Sequence, residues 1–142
     1  MFGEITPSIR LLGGLALIDG VQVKTLNGAT DGRKAIGVPA VTANIGAEWD
    51  TPFMRDLTLT GRVIYTGSQY ANITNTLSLP EWTRVDLGAR YTFTSPWNGK
   101  PIVIRANIEN VFNESYWASA YATGVITLAA PRTYLLSTTF NF

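Results

Sequence analysis

Six charged side chains in the middle of this 142-residue chain are placed where they could act together: Arg62, Arg84, Asp86, Arg90, Arg105 and Glu109. Guanidinium and carboxylate groups of mixed sign can recognise an anion, pass protons, or pair across neighbouring strands. Proton transfer finds little support. With no histidine and no cysteine, there is no His general base, no Ser-His-Asp triad, no disulfide framework and almost no route to a zinc site. Glu48 and Asp50 are close in sequence, and Asp86 and Glu109 fall on neighbouring candidate strands. A carboxylate pair without a nucleophile or a ligand set has no acid–base task. Anion recognition and a charge ladder remain, and the interspersed signs favour the ladder.

A second set is aromatic. Tyr70, Tyr116, Trp117 and Tyr121 lie in or beside long polar stretches. Flat rings at such places can hold a ligand; they can equally form an interfacial girdle or pack loops together.

The elements that carry these residues alternate apolar and polar. Val41, Ala43, Ile45, Ala47 and Trp49 alternate with Thr42, Asn44, Gly46 and Glu48; Leu57, Leu59, Gly61, Val63 and Tyr65 alternate with Thr58, Thr60, Arg62 and Ile64. Odd residues of Val85–Phe93 and even residues of Ile102–Ile108 are apolar, and Tyr134, Leu136, Thr138, Phe140 and Phe142 share one parity. A weaker first strand is expected over Glu4–Ile18. Side chains alternate across a strand, so each stretch is a ribbon with one greasy and one polar face. The lengths suit a tilted bilayer crossing.

Charge placement carries more weight than the apolar count. Arg10, Glu48, Arg62, Arg84, Asp86, Arg90, Arg105 and Glu109 all take the polar parity of their strands. An arginine at the midplane of a lipid face costs about 2–4 kcal/mol, whereas one in a watery lumen costs little. Arg132 alone has the apolar parity; it follows Pro131, where pairing can break, and its distance from the chain end lets it snorkel.

Net charge is +1, too small a field to point to nucleic acid. Hydrophobic content is 46% without a run long enough for a membrane helix. Short turn-rich segments at 50–56 and 95–100 alternate with long ones at 19–39, 67–80 and 113–123. That suits up-and-down topology, with the carboxyl terminus on the short-turn, periplasmic side. Asn27-Gly28 and Asp31-Gly32 are hairpin-type turn signals. One sheet is expected.

Several motifs resemble a known family. Asn110-Val111-Phe112-Asn113-Glu114-Ser115-Tyr116-Trp117 resembles the NxF(D/N)xxYW segment of TonB-dependent siderophore receptors. The run from Leu79-Pro80-Glu81-Trp82 through Arg84, Asp86, Gly88 and Arg90 to Tyr91 is similar to that family's lPxWtrxDlgarY strand. Ala130-Pro131-Arg132-Thr133-Tyr134 with Phe140-Asn141-Phe142 resembles its final strand, and Val38-Pro39 its loop-closing vP. The resemblance implies an all-β, antiparallel up-and-down transmembrane β-barrel segment, about six strands of roughly 22, with residues 1–142 as one carboxyl-terminal portion and no plug domain. It implies import of ferric siderophores of the hydroxamate kind, such as ferrichrome or ferrioxamine, in the outer membrane of a Gram-negative bacterium. Iron enters only as siderophore cargo, with no cofactor and no enzymatic activity. The implied partners are the ferric siderophore, TonB and the plug domain of the full-length receptor, outer-membrane lipid and the barrel-insertion machinery. Tyr70, Tyr116, Trp117 and Tyr121 become candidate ligand contacts, the six charges line the lumen, and Phe142 becomes an assembly signal.

Six strands fall short of the roughly eight at which single-chain barrels begin, and Met1-Phe2-Gly3-Glu4 has no signal-peptide character. The expectation is therefore a piece of a longer chain or a truncated reading frame, with two unpaired sheet edges that make it unstable alone in water. A soluble lipocalin-like ligand-binding barrel is the alternative. It requires Leu87 and Ile104 in a closed interior, with Arg84, Arg90 and Arg105 outside. An outer-membrane hydrolase is disfavoured by the missing histidine.

Overall fold

The computed structural model describes residues 2–141. Its strands are β1 (Phe2–Thr6), β2 (Ile9–Leu17), β3 (Val41–Asp50), β4 (Leu57–Thr66), β5 (Gln69–Tyr70), β6 (Ser78–Leu79), β7 (Trp82–Thr94), β8 (Pro101–Glu109), β9 (Trp117–Ala122), β10 (Val125–Leu128) and β11 (Thr133–Phe140). One seven-stranded antiparallel sheet runs β1-β2-β3-β4-β7-β8-β11, and β5-β6 and β9-β10 form separate two-stranded ladders.

Two expectations need correction here. The single strand Glu4–Ile18 is two strands, with Thr6 opposite Ile9 across Pro7-Ser8. Proline pre-sets the backbone for the first corner of a tight turn and cannot donate to a ladder, so the chain reverses there. The main sheet consequently has seven strands rather than six. The small ladders also break the one-sheet expectation; they arise because the long connections are themselves long enough to fold back.

The connections alternate as the turn chemistry predicts. Tight segments at 7–8, 51–56 and 95–100 occupy one end, and long loops 1 (18–40), 2 (67–81) and 3 (110–132) occupy the other. Loop 3 is longer than the 113–123 expected, since β9 and β10 form a hairpin turning at Gly124 (φ 80°). Arg132 lies in this loop, exposed and just ahead of β11, so the parity exception disappears.

Register keeps the two faces separate across the five ladders from β2 to β11, while the β1–β2 ladder is irregular between Glu4 and Thr6. Ile9 pairs with Trp49, Ile45 with Val63, Gly61 with Leu87, Tyr91 with Ile104, and Leu136 with Ala106 on the apolar face. Arg10 pairs with Glu48, Arg62 with Asp86, and Ser137 with Arg105 on the other. A one-residue slip would move every charge to the greasy side. Leu87 is 49% and Leu136 77% exposed, a contiguous apolar surface beyond what a soluble monomer tolerates. Ile102 departs from the pattern. It is buried, placed in register between Phe93 and Phe140. The lipocalin-like alternative finds no support, because the sheet is open and Leu87 is exposed rather than enclosed.

In loop 1, Asn27 (φ 55°), Gly28 (φ 67°) and Gly32 (φ 80°) take left-handed corners at the expected turn signals. The result is a short 3₁₀ turn (Leu26–Gly28) and a lone Val21–Lys34 bridge rather than a hairpin. Asp31 Oδ1 accepts the Thr25 backbone N–H at 2.7 Å and its hydroxyl at 2.8 Å. These donors hold the Asp31 carboxyl below its ordinary range. A lowered folded-state value gives support that is present above about pH 4 and lost as pH falls through the lowered value. Protection of the Thr25 amide, taken relative to its intrinsic exchange rate at each pH, should therefore fall on acidification, and Asp31→Ala should leave that protection low at every pH.

Candidate functional site

The polar face carries two ion clusters. Towards the short-turn end, Arg10 on β2 grips Asp50 with both ends of its fork, Nη1 to Oδ2 at 2.6 Å and Nη2 to Oδ1 at 2.9 Å. It also reaches Glu48 Oε2 at 3.2 Å. The Thr58 hydroxyl donates to Asp50 at 2.7 Å, and Arg90 stands 3.6 Å from Glu48. Bidentate arginine–carboxylate pairs are the stronger kind, so Arg10 and Asp50 anchor this cluster.

The second cluster centres on Asp86, only 7% exposed. Arg62 Nη2 reaches its Oδ2 at 2.8 Å and Arg84 Nη2 at 2.9 Å, while Arg84 also faces Glu109 at 4.0 Å. A carboxylate this buried is held by its partners; stripping them costs on the order of 3–5 kcal/mol. Arg105 stands apart. Its neighbour in register is Arg90, its hydrogen bond goes to Thr139 Oγ1 at 3.3 Å, and among the described residues it has no carboxylate partner. Like charges directly opposite destabilise a ladder, and Glu48 at 3.6 Å from Arg90 offsets part of this. Between the clusters opens a depression of about 500 Å³, bordered by Arg10, Glu48, Arg62, Asp86, Asn107 and Glu109.

Above the sheet, the three long loops pack into one cap. Its apolar centre is Ala71, Leu79 and Ala120, with Ile36 and Ile126 against them. Loop 1 meets loop 2 through the Gly37 N–H on the Tyr70 carbonyl at 2.9 Å. Asn75 clips the Lys34 backbone from both sides, accepting its N–H at 2.7 Å and donating to its carbonyl at 3.0 Å. Gln69 Nε2 joins loop 2 to the Ala118 carbonyl of loop 3 at 3.1 Å.

The four aromatics expected at a ligand are not gathered in one place. Tyr116 stacks on Trp82 with ring centroids 4.4 Å apart, a contact worth roughly 0.5–1.5 kcal/mol beyond burial. Trp82 shares the parity of Arg84 and Asp86, so this stack belongs to the polar side. Trp117 and Tyr121 are both exposed on β9, Tyr121 to 86%, with the β9–β10 pairing irregular between them. Tyr70 lines a separate hollow of about 300 Å³ with Lys34, Gln69 and Ser78. Phe142 lies outside the described residues.

Sequence reasoning missed Arg10 and Asp50 as a bound pair, Trp82 as the partner of Tyr116, and Asn110 and Asn113 as clips. The asparagines were findable: both take left-handed backbone (φ 55° and 54°), which asparagine tolerates better than most residues.

Comparison with known proteins adds four findings. Residues 3–111 match the family model described as TonB dependent receptor-like, beta-barrel. The chain is 43% identical over 143 residues to the ferrichrome receptor FcuA of Yersinia enterocolitica, covering 100% of this chain and 19% of that protein. Among solved structures it resembles BauA, the ferric preacinetobactin receptor from Acinetobacter baumannii, with a TM-score of 0.84 and 43% identity over 96% of this chain and 20% of that one. The siderophore receptor PiuA from Acinetobacter baumannii shares the fold, with a TM-score of 0.75. The chain thus spans about a fifth of the length of the relatives it matches.

Proposed function

The chain belongs to the TonB-dependent receptor β-barrel family, and from that premise we propose that it forms part of the outer-membrane wall of a receptor importing a ferric siderophore. The observation that carries this reading is the separation of faces, with arginines and carboxylates on one side and Leu87, Ile45, Val63 and Leu136 exposed on the other. In a barrel the apolar face meets lipid and the charged face meets the lumen. Arg62, Arg84, Asp86, Arg90, Arg105 and Glu109 then line that lumen, against a plug domain supplied by the rest of the receptor, with TonB supplying energy. The loop cap stands at the extracellular mouth, where exposed Tyr121 and Trp117 are the foremost ligand contacts. Tyr116 serves instead as packing against Trp82. The family is one of receptors, and no enzymatic role is assigned.

The likeness to a ferrichrome receptor supports a hydroxamate ligand, and the equal likeness to a ferric preacinetobactin receptor names the competitor. Equilibrium binding of ferric ferrichrome and ferric preacinetobactin to the full-length receptor in vesicles tests both. Saturable binding of ferric ferrichrome is expected. An assembled receptor that binds neither ligand overturns both ligand assignments, and one that binds no ferric siderophore overturns the reading.

Phe142, which follows Tyr134, Leu136 and Phe140 at the same parity, is proposed to mark its strand for the insertion machinery, which can read a free strand edge by its main chain and an aromatic ring by a pocket. Phe142→Ala in the full-length receptor should lower the amount assembled in the outer membrane and leave the affinity of the assembled fraction unchanged. Normal assembly with lost binding would contradict both the topology and the targeting role.

A further inference from the structure

Asp86 sits where the charged face meets the foot of loop 3. Its Oδ2 holds Arg62 and Arg84, and its Oδ1 accepts the backbone N–H of Asn110 at 3.0 Å. Asn110 opens loop 3 and is 2% exposed. Its side chain closes the loop's foot: Nδ2 donates to the carbonyls of Glu114 at 2.9 Å and Ala130 at 3.1 Å, and Oδ1 accepts the Glu114 N–H at 2.9 Å. Three residues on, Asn113 Oδ1 accepts the Arg132 N–H at 2.9 Å. Both ends of loop 3 therefore hang from Asn110 and Asn113, and Asn110 hangs from Asp86.

We propose that Asp86 and Asn110 are positioning residues for ligand capture, locking the aromatic hairpin β9–β10 in place only while Arg62 remains on Asp86. This rests on the receptor reading for the ligand and on the geometry alone for the lock. The two arginines are not equally placed. Arg84 is the more enclosed, its side chain 22% exposed. Arg62 is half exposed, borders the depression and sits on β4, with its hydrogen bonds running to Asp86. It is the partner that a group arriving on the charged face can draw away. Asp86 is then left with Arg84 as its one arginine partner, on the side away from β4, and its carboxylate can swing towards that partner. That movement weakens the acceptor that Asn110 depends on. Loop 3 also carries Ala120, part of the apolar centre of the cap, so a change at its foot reaches the other two loops.

The test uses the full-length receptor in vesicles, with spin labels at Val125→Cys on the hairpin and Leu136→Cys on the wall. The parent is expected to give one narrow distance distribution. Arg62→Gln should broaden it, and so should Asn110→Gly, which keeps the left-handed corner but removes the clips. Asp86→Asn, which retains an oxygen toward the Asn110 N–H, should give an intermediate width. Arg62→Gln should also weaken ferric ferrichrome binding roughly five- to tenfold at an unchanged assembled amount. An unchanged distribution in assembled Arg62→Gln overturns the lock. Failure of the parent to bind any ferric siderophore overturns the transport reading instead, and the distance result still decides the lock.

Discussion

Leu136→Arg in the full-length receptor should lower its stability in a bilayer by about 2–4 kcal/mol, the cost of an arginine near the midplane of a lipid-facing wall. Leu136 lies midway along β11, 77% exposed on the apolar face. Its neighbour Ser137 points the other way and stands opposite Arg105. Ser137→Glu should therefore stay within about 0.5 kcal/mol of the parent, or gain slightly by giving Arg105 an opposite charge across the ladder. Urea titration of the bilayer-folded receptor measures both. Equal losses from the two variants would mean that the faces are not divided between lipid and lumen. A larger loss from Ser137→Glu would invert the wall.

The second large effect is expected at Gly37. Its φ of 69° is left-handed, and a Cβ built there would lie 1.9 Å from the Ala120 carbonyl oxygen, a backbone atom that no rotamer change can move aside. The strained backbone alone costs about 1–3 kcal/mol in Gly37→Ala, and the collision must push loop 1 off loop 3. Gly124 gives the control. It has a φ of 80° with nothing within 4 Å of the added carbon, so Gly124→Ala carries strain without collision. Limited proteolysis of the cap should become faster in Gly37→Ala by about tenfold or more, since each 1.4 kcal/mol is tenfold in an opening equilibrium. Gly124→Ala, which has the strain but no collision, should give a clearly smaller increase. Similar rates in the two variants would mean that the loops do not form one packed cap.

The long strands are legible in the sequence because period-2 alternation is a local property, and the arginines confirm parity wherever the apolar residues are ambiguous. Ile64, for instance, takes the polar face beside Asn44 and Arg84, as its even position between Val63 and Tyr65 requires. The β1–β2 turn is less legible. Ile5 and Ile9 continue one parity through Pro7, and only the missing N–H of that proline signals a reversal. The cap is scarcely legible at all. Ala71, Ala120 and Ile36 lie in three separate loops, and nothing local marks an alanine as the centre of a cluster. The charged residues are visible as a set but their partners are not. Arg10 bonding to Asp50, and Arg105 left facing Arg90, depend on the stagger between strands, which alternation does not specify. Tyr116 reads as a ligand contact until its ring is seen on Trp82.

The central claim is that this sheet is a membrane wall with lipid on the face of Leu87 and water on the face of Arg62. Power-saturation spin-label spectroscopy on the full-length receptor in vesicles tests it most directly, with single labels at Ile45, Leu87 and Leu136 and at Thr60, Asn107 and Ser137. The first three labels are expected to relax with oxygen dissolved in the bilayer and to be shielded from a water-soluble nickel complex. The other three are expected to show no such preference for oxygen. Nickel access at Ile45, Leu87 and Leu136, with oxygen access at Thr60, Asn107 and Ser137, would contradict the claim.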